Sequence, residues 1–299
     1  MSFRDEGYVV LRGLLTPSEV ERYILRLEAL SGRTRESFRA RSGLRLPLVP
    51  RGTRGWTLPD GVSKVRDFWP LITHPGLAAA ARDALGADVR YLQHSDLHVG
   101  FSAVTWHRDA VNRQFGRGPD WDESIEPYRL VRVGLYLQSF EESRFALRLV
   151  PGSHRLASPA APANLAQIER RTAPWAQAVA LVRGRDAVAR HAVTLETQPG
   201  DAVLFDPRVL HAGTAIEGPK YSVFLAFGAP GRHFMRHACY YRHVRRELGY
   251  GNLEPELVAL LRAHRLDAEP PVDDALLGAY HPSPLQRLLG RGIRPNVSY

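Results

Sequence analysis

Pro199-Gly200-Asp201-Ala202-Val203-Leu204-Phe205, running on through Asp206-Pro207-Arg208-Val209-Leu210-His211, is a turn, a short apolar run, a Pro-marked break and a second short apolar run. Pro fixes its own φ and Gly supplies the left-handed backbone of a tight turn, so Pro199-Gly200-Asp201 separates two strands. The same pattern continues on both sides. Short apolar segments bounded by turn residues recur at 89–98, 102–107, 130–139, 145–150, 193–197, 202–205, 209–212 and 221–228. Many short strands with Gly and Pro punctuation predict an antiparallel sandwich or barrel.

Helices flank this β-rich core, taken as about 88–228. Gly7 to Leu11 reads as a short strand. Thr16-Pro17-Ser18-Glu19 then opens a helix, with Thr16 as N-cap, Pro17 at the first helical position and Glu19 completing a capping box. Val20, Tyr23, Ile24, Leu27 and Leu30 keep helical period, and Gly32 ends the run. Residues 33–62 lack periodicity and read as loop, and a second helix is expected from Pro75 to Gly86. Residues 1–87 thus form a helical N-terminal support. Two insertions interrupt the strands, at 110–128 and at 156–190, the second Ala-rich and partly helical. From 229 to 299 the chain returns to helix and loop, with Leu257, Leu260 and Leu261 on one stripe after Pro255. The whole of 1–299 is read as one domain.

Composition narrows the class. The chain has 299 residues, 44% of them hydrophobic and 24% charged, which is ordinary for a globular protein with ample core. One cysteine, Cys239, excludes an intrachain disulfide and fits a reducing compartment. The charged N-terminus has no signal-peptide pattern and no long apolar run follows, so a cytoplasmic protein without membrane association is expected. The net charge of +9 is spread along the chain and no nucleic-acid motif accompanies it, so the excess reads as a solvated basic face or as recognition of an anionic small molecule.

The chemistry-bearing residues are His107-Arg108-Asp109 and, about a hundred residues on, His211. In a strand, residues i and i+2 share a face, which lets His107 and Asp109 reach one ion while Arg108 points away. Two imidazoles and one carboxylate fit one face of an octahedral Fe(II) and leave the other open. On spacing alone, a surface or structural histidine remains the rival reading.

Context adds a resemblance. Thr105-Trp106-His107-Arg108-Asp109, Leu149-Val150-Pro151-Gly152-Ser153-His154 and Pro199–Phe205 leading to His211 occur in the order seen in the phytanoyl-CoA dioxygenase family. Gly7-Tyr8-Val9-Val10 and the capped helix are similar too, so the likeness runs from about residue 7 to 228. It implies a mainly β fold with flanking helices and a double-stranded β-helix (jelly-roll, cupin-like) core. It also implies Fe(II), 2-oxoglutarate and dioxygen as metal, cosubstrate and oxidant, with His107, Asp109 and His211 as iron ligands. The family places an arginine shortly after the last histidine to pair with the distal carboxylate of 2-oxoglutarate. This chain has Lys220 there, with Ser222 two residues on. Lys64, in Lys64-Val65-Arg66-Asp67-Phe68, matches a second cosubstrate contact, and Gln93 and Thr105 are expected near the inner carboxylate. His154, in the Pro-Gly-Ser-His turn, reads as a structural residue.

The retained carboxylate Asp109 favours hydroxylation or cyclisation over halogenation, since halogenating relatives carry a small residue at this position. The expected substrate is a small polar metabolite, sugar-containing or otherwise a secondary metabolite, approached by Arg108 and by Asn112, Arg113 and Trp121 of the 110–128 insertion. A fatty acyl-CoA hydroxylase of the same family is the nearest alternative, and a non-oxygenase cupin-like binding protein or isomerase the more distant one.

Overall fold

The computed structural model describes residues 2–39, 55–109, 123–155, 165–172, 174–182, 186, 188–244 and 248–268. Its strands are β1 (Tyr8–Leu11), β2 (Trp56–Pro59), β3 (Arg90–Val99), β4 (Leu130–Tyr136), β5 (Leu147–Leu149), β6 (Val193–Leu195), β7 (Asp201–Phe205), β8 (His211–Gly213) and β9 (Tyr221–Gly228). They pair antiparallel into a six-stranded sheet, β1-β7-β4-β9-β3-β2, and a three-stranded sheet, β6-β5-β8. The architecture is a double-stranded β-helix core with flanking helices.

The central strands are buried on both faces, so they read in sequence as nearly continuous apolar runs. Their two faces nevertheless differ in content. Val131, Val133 and Leu135 of β4, Ala202 and Leu204 of β7, and Val223, Leu225 and Phe227 of β9 pack on one side. The helices Pro17–Ser31, Pro75–Leu85 and Pro255–Ala263 cover that side through residues such as Tyr23, Leu27, Leu77, Leu85, Leu257 and Leu261. The alternate residues face into the barrel, where Tyr136, Val203 and Phe205 meet Phe145, Leu147 and Leu149 of the smaller-sheet side. By the same alternation Arg132 and Gly134 on β4 and Ser222 and Phe224 on β9 belong to the inner face. A Cβ on Gly134 would come within 2.8 Å of Phe224 and 3.0 Å of the Tyr136 hydroxyl, so only glycine leaves room there.

The Pro199-Gly200-Asp201 turn works as its composition suggests. Gly200 sits at φ +87°, and its N–H donates to Tyr136 O at 2.9 Å. Asp201 accepts from Arg12 Nη1 at 2.6 Å and from the Gly13 N–H at 2.8 Å, which ties the chain leaving β1 to the start of β7.

Two expectations change. Segment 102–107 is not a strand: within it only His107 pairs, in an isolated antiparallel bridge to His211. The stretch 33–62 is not all loop, since it holds a short helix, Arg35–Arg39, the edge strand β2 and the start of the Gly61–Lys64 turn of helix. β2 pairs along β3 and packs Trp56 and Leu58 against the core, but four residues are too short a run for periodicity to reveal. Of the 110–128 insertion, residues 110–122 lie outside the described residues, and so do 269–299.

Both halves of the capping box are present on the Pro17–Ser31 helix, with the Thr16 N–H donating to Glu19 Oε2 at 2.8 Å and the Glu19 N–H to Thr16 Oγ1 at 3.3 Å. Replacing Thr16 by Ala is expected to lower unfolding free energy by about 1 kcal/mol. Urea denaturation would measure it, and an unchanged midpoint would show that the cap contributes nothing.

Candidate metal centre

Two backbone hydrogen bonds, His107 N–H to His211 O and His211 N–H to His107 O, both 2.9 Å, set the two histidines side by side. Their rings lie 4.3 Å apart, centroid to centroid. The Asp109 N–H donates to Pro207 O at 2.9 Å, fixing the carboxylate against the segment that leads into β8. The result is one ligand atom from each of His107, Asp109 and His211, all within 4.8 Å of one another. His107 Nε2 is 3.7 Å from Asp109 Oδ1, and His211 Nε2 is 3.8 Å from Asp109 Oδ2.

The donor set fits a divalent metal in its protonation as well as its geometry. His107 Nδ1 lies 2.7 Å from Thr105 O and His211 Nδ1 lies 2.9 Å from Val209 O. A carbonyl only accepts, so each Nδ1 carries the proton and each Nε2 presents a lone pair to the centre. Burial, reinforced by His107, pushes His211 down to about 4, so its ring is neutral at physiological pH. Burial alone would raise Asp109, but His211, Arg132 and His107 outweigh it and hold the carboxyl at about 2. Neutral imidazoles and an ionised carboxylate are the forms that bind a metal.

Lys220 lies at the start of β9 with its side chain in the same interior. It is 2% exposed, donates to Ser222 Oγ at 2.8 Å, and sits 4.3 Å from the Phe145 ring centroid and 6.0 Å from that of Tyr136. Among the described residues no carboxylate pairs with it, and burial brings its ammonium down to about 7. His98 senses both ends of this interior: burial depresses its basicity most, Lys220 and Arg132 add to that, and Asp109 opposes it.

The other expected residues lie elsewhere in the network. Gln93 Nε2 donates to Asp60 Oδ2 at 2.9 Å and to Gly251 O at 3.0 Å, and Lys64 Nζ donates to Pro59 O at 3.0 Å. These two gather around Asp60, whose carboxyl burial raises to about 6. Thr105 is exposed and takes part through its carbonyl, as the acceptor for His107. Arg108 is buried and donates to the carbonyls of Ser153, at 2.7 Å, and Arg208. His154 faces Arg4 O through Nε2 at 3.2 Å. Asn112, Arg113 and Trp121 lie outside the described residues.

Sequence reading misses Arg132, Tyr241 and Tyr250 beside the centre, and reads His94 and His237 as solvated or core histidines before pocket residues. Arg132, 4% exposed, lies with Nε 3.5 Å from Asp109 Oδ2. A lone arginine in the apolar run Leu130-Val131-Arg132-Val133-Gly134-Leu135 was the available signal. His94, His237, Tyr241 and Tyr250 form a ring cluster, with His94 and Tyr241 stacked at 3.8 Å and His94 Nδ1 2.8 Å from His237 Nε2. His237 and Tyr241 are near enough to Asp109 to feel its charge. They belong to the helix Arg232–Cys239 and the following π-helical turn Tyr240–Val244, where no local pattern announces a site.

The buried ammonium yields a pH prediction. Lys220 ionises near 7 in the folded protein and near the ordinary 10.5 when unfolded, so between these values the unfolded chain binds more protons. Stability is therefore expected to rise with pH over that window, by at most about 1.4 kcal/mol per pH unit, and this component to be flat below it. Lys220→Met should remove the component. Unfolding free energies of both proteins across the window measure it, and parallel curves would contradict it.

No curated protein sequence matches the chain. Among solved structures, HygX from Streptomyces hygroscopicus with nickel and 2-oxoglutarate bound aligns at TM-score 0.51 and 20% identity, covering 76% of this chain and 84% of that one. Its iron-bound form aligns at 0.50 and 18% identity, with the same coverage. The apoform of EctD from S. alaskensis aligns at 0.50 and 21% identity, covering 76% and 74%. At such identities the likeness is one of fold. The family model for phytanoyl-CoA dioxygenase (PhyH) matches residues 3–221, most of the length, and spans β1, the whole β core through β8 and all three residues of the centre: the chain belongs to the phytanoyl-CoA dioxygenase family.

Proposed function

We propose that this protein is an Fe(II)- and 2-oxoglutarate-dependent dioxygenase that oxidises a small, polar, ring-bearing metabolite. The observation that carries the reading is the convergence of His107, Asp109 and His211 within 4.8 Å, with both Nδ1 atoms facing carbonyls and both Nε2 atoms free for a metal. These three residues would hold the iron. With 2-oxoglutarate bound, such a centre activates dioxygen, converting the cosubstrate to succinate and carbon dioxide and oxidising the substrate.

Lys220 is the expected anchor of the distal carboxylate. A buried cation without a carboxylate partner is unfavourable until an anion reaches it, and the Ser222 hydroxyl stands beside it as a second donor. The Tyr136 hydroxyl, buried and without a hydrogen-bond partner among the described residues, is a third. Lysine offers a point charge where a guanidinium would offer a fork, so the adjacent hydroxyls supply the direction that it lacks. The aromatic and imidazole rings of His94, His237, Tyr241 and Tyr250 favour a flat or cyclic substrate with hydrogen-bonding groups over an alkyl chain. Hydroxylation is the expected outcome, with cyclisation as the variant the same centre supports. The single cysteine, buried Cys239, is in keeping with a cytoplasmic protein. No helix among the described residues is long and apolar enough to cross a membrane.

The test is Fe(II)-dependent formation of succinate from 2-oxoglutarate. Asp109→Ala is expected to abolish turnover, and retained activity in that variant would sink the assignment. Lys220→Ala should raise the KM for 2-oxoglutarate by about tenfold or more, the equivalent of one charge-assisted hydrogen bond. An unchanged KM would move the anchor to another residue.

A further inference from the structure

Arg132 enters the barrel from the middle of β4 and is 4% exposed. Two of its donors are committed: Nη1 to His94 O at 2.8 Å and Nη2 to Asp96 Oδ2 at 3.1 Å. The third nitrogen, Nε, is buried without a hydrogen-bond partner among the described residues and lies 3.5 Å from Asp109 Oδ2. The face of Phe224 closes the remaining side, 5.6 Å from the guanidinium carbon. A planar fork held at both Nη atoms has its Nε–H fixed in direction.

The backbone is shaped to hold it. The β3–β9 register jumps between Leu92, opposite Ala226, and Asp96, opposite Phe224, so β3 carries extra residues at this point. Such a bulge takes carbonyls out of the ladder and re-aims them. Here His94 O goes to Arg132, while Ser95 O accepts from the Asp60 N–H at 2.6 Å and from Tyr250 Oη at 3.2 Å.

We propose that Arg132 is a positioning residue for the metal centre: its Nε–H engages Oδ2 of Asp109 and leaves Oδ1 to the ion. A movement of ~0.5 Å brings Nε to hydrogen-bond length and satisfies a buried donor that is otherwise costly. The inference rests on the metal-binding reading given above. It assigns to a residue outside the ligand set the task of turning the carboxylate.

The sign of the effect separates positioning from charge. A cation beside the centre repels a second cation, so loss of the charge alone would tighten metal binding. Loss of positioning weakens it, by about 10- to 100-fold for a residue that orients a ligand. Co(II), stable in air, is the probe: its affinity is read by calorimetric titration of the metal-free full-length protein, and its ligand field by visible absorption. Arg132→Lys, which keeps the charge and loses the fork, is expected to bind Co(II) at least about tenfold more weakly with an altered spectrum. Asp96→Asn, which loosens the anchor and leaves both Arg132 and Asp109 in place, should show a smaller loss in the same direction. If either variant fails to fold, the other decides. Wild-type affinity and spectrum in a folded variant, even one with a lowered Tm, would show that Arg132 merely ties β3 to β4. A wild-type protein that takes up no Co(II) would overturn the metal centre itself and this inference with it.

Discussion

The paired hydrogen bonds between the backbones of His107 and His211 are the contact on which the centre depends. They join a segment with no other strand pairing to the first residue of β8, about a hundred positions later in the chain. Because the bonds lie in the backbone, they set the spacing of the two rings whatever the side chains do. The carbonyls of Thr105 and Val209, each two residues before its histidine, then fix the same tautomer in both. Identical local geometry on the two sides of one bridge produces a matched pair of imidazoles, each with Nδ1 against a carbonyl.

Around that pair the interior is organised by charge. Asp109 and Asp96 share Arg132, while Lys220 stands apart among Phe145, Tyr136 and Ser222, with no acid paired to it among the described residues. Buried charges are tolerated when partnered, and the large sheet accommodates Arg132 by taking one carbonyl out of its own ladder. Among the described residues Lys220 has no such partner, and burial brings its ammonium down to about 7. Outer-face residues of the same strands, Val131, Val133, Val223 and Leu225, bury against helices and anchor the inner face mechanically.

Much of this was legible locally. The Thr16 cap, the Pro75–Leu85 helix and the Pro-Gly-Asp turn each depend on side chains or φ preferences within a few residues, and the structure shows them at those positions. Strands buried on two faces were visible as apolar runs, whereas β2, a four-residue edge strand, was not. Strand alternation pairs His107 with Asp109 in sequence, yet the two do not lie in a strand, and Asp109 is held by Pro207. Lys64 and Gln93 matched family positions, but their contacts centre on Asp60.

By itself the sequence determined which residue types could serve a metal and an anion, and in what order along the chain, because motif order and turn chemistry are local properties. The tertiary structure alone decided which of them share one interior. Register brings His107 to His211, strand alternation turns Arg132 toward Asp109, and the segment after β9 places His237 and Tyr241 within reach of the same carboxylate. Those juxtapositions arise from pairing and packing across long stretches of chain, and no spacing within a single segment encodes them.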